Sequence, residues 1–133
     1  MKIIRAITIF AWIAFPAVMY GGYILLGQLS KTGITEFQRT FFRAGHAHAG
    51  VLLLMSLLFH LYLEKTNLPI SWKIAAASIL AVGILAQSGG FFIHMAIGQA
   101  GQASIGTSVT IGGAVLLVFA IIIMVYGLIA TPA

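Results

Sequence analysis

The chain is short of charge and has no cysteine. Two of its 133 residues are acidic, and all charged residues together make up 7%. A soluble domain carries roughly 25%. With 61% hydrophobic residues and so few charges, the chain cannot cover a surface facing water, so the bilayer is its expected solvent. The absence of cysteine excludes disulfides, iron–sulfur clusters, thiolate metal sites and covalently attached c-type haem. No Asp or Glu interrupts an apolar run, which speaks against hydrolysis by paired acids or by a Ser-His-Asp arrangement. The same shortage speaks against a proton pump or cation transporter that relays through intramembrane carboxylates. No glycine pattern forms a phosphate-binding loop.

What is present is four apolar runs, at about 6–27, 42–63, 72–97 and 104–129. A bilayer crossing needs ~20 residues. The expected fold is therefore all-α: residues 1–133 as a single domain of four transmembrane helices in an up-down-up-down bundle. The first run is too long for the apolar part of a signal peptide and reads as a span. Pro16 is expected to kink it. Thr35 to Gln38 is expected to open a short surface helix, and Ser71 to cap the third span. Four spans place both termini on one side. That side carries Lys2, Arg5, Lys65 and Lys73, against Lys31, Arg39 and Arg43 on the other. By the positive-inside rule the termini are expected to be cytoplasmic, in a bacterial or archaeal cytoplasmic membrane. The net charge of +5 then sets topology and contact with lipid headgroups and is no sign of nucleic-acid binding.

Three of the four histidines follow Arg43 in the second run, in FFRAGHAHAGVLLLMSLLFH. His46 and His60 are 14 residues apart, about 40° short of four helical turns and about 21 Å of rise. They share one face with Gly50, Leu53 and Leu57. His48 lies about 200° from His46, so the two serve one ion only if the helix start is unwound. On the third run His94, Gly90, Gln87, Gly83 and Ala76 form a stripe of small and polar residues. That run returns to the Arg43 side, so His94 is expected level with His46. Two level imidazoles on antiparallel helices are what axial ligation of a haem iron needs. Arg43 would pair with a propionate, and Gly50 and Gly90 would make room for the ring. The methionines read as packing.

The His46–His60 spacing resembles the haem-bearing helices of membrane b-type cytochromes. FFRAGHAHAGVLLLMSLLFH also resembles the second span of haem-copper oxidase subunit I, which is built of four-helix units. The resemblance implies a bound haem b, electron transfer or redox or gas sensing, and quinone as electron partner in the bilayer. This chain departs from those patterns: the third run has one histidine and the fourth none, so an oxidase copper centre is not expected. A homodimer would pair His60 with its copy. Two rival readings stand beside this one. One is a copper or zinc site of His46, His48 and His94, since imidazole suits both metals. The other is a structural accessory subunit of a respiratory complex.

Overall fold

In the computed structural model, residues 2–29 and 33–131 are described. Four helices follow in order: α1 (Lys2–Leu29), α2 (Glu36–Lys65), α3 (Ile70–Ile97) and α4 (Ile105–Ile129). All four are long and apolar enough to cross a membrane. Short connections alternate their directions, giving the expected up-down-up-down bundle. Large side chains such as Ile13, Leu54, Leu85 and Ile129 are exposed, as lipid-facing residues must be.

Helix α2 begins six residues earlier than its apolar run. Thr35 starts it with a capping box: its hydroxyl oxygen accepts from Gln38 N at 3.2 Å, and Gln38 Oε1 accepts from Thr35 N at 3.0 Å. No separate surface helix forms, because this start is continuous with the span. At 30 residues, α2 is about 45 Å long. The hydrocarbon layer is ~30 Å thick, so the first turns, with Glu36 and Arg39, project into the headgroup zone. Helix α3 also starts earlier than expected. Pro69 occupies its N-cap position and no side-chain cap bond forms, so Ser71 lies inside the helix and does not cap it.

Between membrane helices the lipid is as apolar as leucine, so association rests on close packing. The α3–α4 pair achieves this with glycine. A Cβ at Gly90 would collide with Thr110 and the backbone of Gly106; one at Gly113 would collide with the backbone of Gln87 and Gly83. Gly106 meets the His94 backbone in the same way. The turn between these helices passes through Gly101, whose φ of +76° suits glycine. Ser104 then caps α4, its Oγ accepting from Gly106 N at 3.0 Å. Where α2, α3 and α4 meet, Phe59, Leu63, Ala76, Ala77, Leu80, Leu117 and Ala120 form the main core, reached by Ile4 of α1. A second cluster of Ala11, Leu53 and Leu57, with Ala14, Phe15 and Val18, joins α1 to α2.

The expected charge sides hold for the described residues. Lys2, Arg5, Lys65 and Lys73 stand at one end of the bundle, and Arg39 and Arg43 at the other. Lys31 lies outside the described residues.

Candidate functional site

The stripe of His46, Gly50, Leu53, Leu57 and His60 does lie on one face of α2, and that face packs on α1. Gly21 and Gly22 of α1 back the His46 ring: a Cβ at Gly22 would stand 3.0 Å from its Nε2. One turn on, Gly50 faces Val18, and Leu53 and Leu57 meet Ala11. A shallow groove of about 330 Å³ runs beside His46, lined also by Phe15, Met19, Gly50 and Leu54. The room at Gly50 is therefore shared with α1.

His94 looks elsewhere. It is 4% exposed, and its Nδ1 lies 2.7 Å from Ser104 Oγ. That oxygen also accepts from Gly106 N, so the bond to His94 ties the end of α3 to the cap of α4. The rings of Phe41 and Phe37 stand edge-on to His94, with centroids 4.3 and 5.2 Å away. The space beside Gly90 is filled by Thr110 and Gly106 of α4. The pairing of His46 and His94 across a ring-sized gap is thus not formed. The reason is which neighbour each stripe met: the α2 stripe packs on α1, the α3 stripe on α4. Both helices obey their periodicities, but their chosen faces diverge.

The seam between α2 and α3 is made of aromatic rings. Phe42 meets Phe92 edge-on at 5.5 Å, and Phe92 covers Gly45. His48 lies on this seam, tilted against Phe91 at 4.7 Å, and its Nδ1–H donates to Ala44 O at 2.8 Å. A carbonyl only accepts, so the bond places a proton on Nδ1. Among the described residues no three of His, Asp and Glu are grouped to hold a metal ion, so the His46, His48 and His94 set is not assembled. The α2 start is regular helix and keeps His46 and His48 on opposed faces.

His60 is different from the other three. It is 3% exposed, and neither Nδ1 nor Nε2 has a hydrogen-bond partner. It lines a cavity of about 310 Å³ between α1, α2 and α3, with Ala6, Phe10, Ser56, Ala81 and Leu85 among its other walls. Phe10 and Leu85 are more than half exposed, so the cavity opens toward lipid. Ser56 spends its hydroxyl proton on Leu53 O at 2.7 Å. His60 is the one nitrogen-bearing side chain among the residues that line the cavity, and both its nitrogens are buried. A buried polar group without a partner costs about 1–3 kcal/mol, and this imidazole has two such atoms. Arg43 stands 17 residues away along α2, about 26 Å by helical rise, and does not serve a ring held at His60.

The histidine was visible in the sequence; its cavity was not. Ala6 and Ala81 leave the space by being small, and alanine in an apolar run carries no signal of its own. Ser88 Oγ and Gln87 Oε1 of α3 are further buried atoms without a partner. Gln87 stood out in the sequence as a polar residue on the small-residue stripe, whereas Ser88 lay off it.

These features define the class: an integral membrane four-helix protein with an unsatisfied imidazole in a lipid-open cavity. No protein family, curated protein or solved structure matches the chain.

Proposed function

We propose that this chain is an integral-membrane b-type haem protein for electron transfer or gas sensing, with His60 as its ligand to the iron. One observation carries the reading: an imidazole 3% exposed, with both nitrogens unbonded, lines an apolar cavity. The donor chemistry fits a haem held by one histidine. Imidazole is a common axial ligand, and apolar walls tune the potential of the ring they enclose. When bound, the haem supplies one-electron and diatomic-gas chemistry. His60 would hold the group, and Ile84, Leu80, Ala81 and Phe10 would keep water from it. No second nitrogen or sulfur ligand lines the cavity, which favours a centre with one protein ligand over a bis-histidine carrier.

A second reading has an observation of its own. The cavity lies at the small end of the ~300–1,000 Å³ range of ligand sites, and it opens to lipid. A quinone headgroup would enter from the bilayer and accept a hydrogen bond from the His60 ring, its tail remaining in lipid.

Expression with haem supplied, followed by an absorption spectrum of the purified protein, tests both. The first reading expects a Soret band that disappears in His60→Ala and persists in His94→Ala. No Soret band, together with His60-dependent binding of a short-chain quinone, would replace it with the second. Neither band nor quinone binding would reject both.

A further inference from the structure

The bundle end that holds the chain's first residues carries a second concavity. A cleft of about 640 Å³ lies between the starts of α1 and α3 and the end of α2. Lys2, Arg5 and Lys73 line it against one carboxylate, that of Glu64. Three positive charges and one negative leave an excess of two in one cleft. Neither Lys2 nor Arg5 bonds to any described residue, and Lys73 Nζ donates only to the backbone oxygen of Glu64, at 3.2 Å. Helix α3 starts here, at Ile70, without a side-chain cap. Its N-terminus adds positive potential to that of the side chains. The cleft's remaining walls include Ile4, Leu68 and Ile70. It therefore joins a cationic mouth to apolar walls, of which Ile70 is exposed at the bundle surface.

We propose that this cleft binds the phosphate headgroup of an anionic phospholipid, with its acyl chains lying along α1 and α3. Basic pockets between membrane helices are recognised sites for such headgroups. The unpaired Lys2 and Arg5 supply the charge, Lys73 is held at the rim by its backbone bond, and Thr8 adds a hydroxyl. Zwitterionic lipid brings a cation of its own and gains less. The inference is independent of what occupies the His60 cavity.

Native mass spectrometry tests it on the whole protein reconstituted with phosphatidylglycerol or phosphatidylcholine of matched chains. Wild type is expected to retain phosphatidylglycerol in preference. The triple variant Lys2→Gln/Arg5→Gln/Lys73→Gln is expected to lose that preference by about tenfold or more, since each basic residue near the surface contributes about equally. Should the triple variant fail to fold, Lys2→Gln/Arg5→Gln removes only unbonded side chains and is expected to lose most of the preference. Lys65→Gln is the control: Lys65 sits over the Tyr62 ring, 5.5 Å from its centroid, and does not line the cleft. Equal retention of both lipids, or an undiminished preference in the double variant, would overturn the proposal. So would two other outcomes. Displacement of the lipid by millimolar inorganic phosphate would make the site one for soluble anions. Loss of haem from the double variant with lipid retention unchanged would assign the cations to the ring's carboxylates.

Discussion

Replacing His60 by leucine separates a ligand site from a structural polar residue, because the two predict opposite signs. In the ligand-free protein the imidazole is buried with two unbonded nitrogens. Leaving a donor or acceptor in that state costs about 1–3 kcal/mol per group. Leucine has a similar volume, no polar atom, and apolar neighbours in Leu80 and Ile84. The unfolded state in detergent also finds partners for an imidazole, so the lower half of the range applies to the pair. His60→Leu is expected to stabilise the ligand-free protein by about 2 kcal/mol. For a chain of this length that raises Tm by roughly 6–8 °C. The assay is thermal unfolding in detergent without added haem, run beside the absorption spectrum of haem-supplied material. The expected result is a more stable protein that no longer takes up the ligand. A ligand-free His60→Leu protein that melts below wild type by an amount worth 1 kcal/mol or more would refute the reasoning, since the imidazole would then be holding the helices together by itself.

His94 should behave in the opposite way. His94→Leu breaks its bond to Ser104 and is expected to destabilise by about 1–2 kcal/mol without touching the spectrum; Ser104→Ala should cost about as much, and the double variant less than the sum, read by Tm in a double-mutant cycle. Along the α3–α4 seam, Gly90→Ala and Gly113→Ala each drive a Cβ into backbone and should cost about 3 kcal/mol or more. Gly112→Ala meets nothing within 4 Å and should instead stabilise by about 0.5–1 kcal/mol through helix propensity. Gly22→Leu would push against the His46 ring and should loosen α1 from α2, seen as faster proteolysis of α1 with α3–α4 intact.

Much of the architecture was legible in the chain. Runs of ~20 apolar residues without acids specify bilayer spans, because no other solvent accepts them, and four spans with short connections leave little choice of topology. Helical periodicity also placed His46, Gly50, Leu53, Leu57 and His60 on one face of α2, and Gly83, Gln87, Gly90 and His94 on one face of α3. Periodicity states which residues share a face; it carries no information about which helix that face will meet. The choice of neighbour came from packing. Gly106 and Gly113 of α4 match the small stripe of α3 at backbone distance, and Gly21 and Gly22 of α1 leave room for the His46 ring. Those pairings turned two stripes away from each other and committed His94 to Ser104. They left His60, among alanines that look ordinary in a list of letters, as the fully buried imidazole without a hydrogen bond among the described residues.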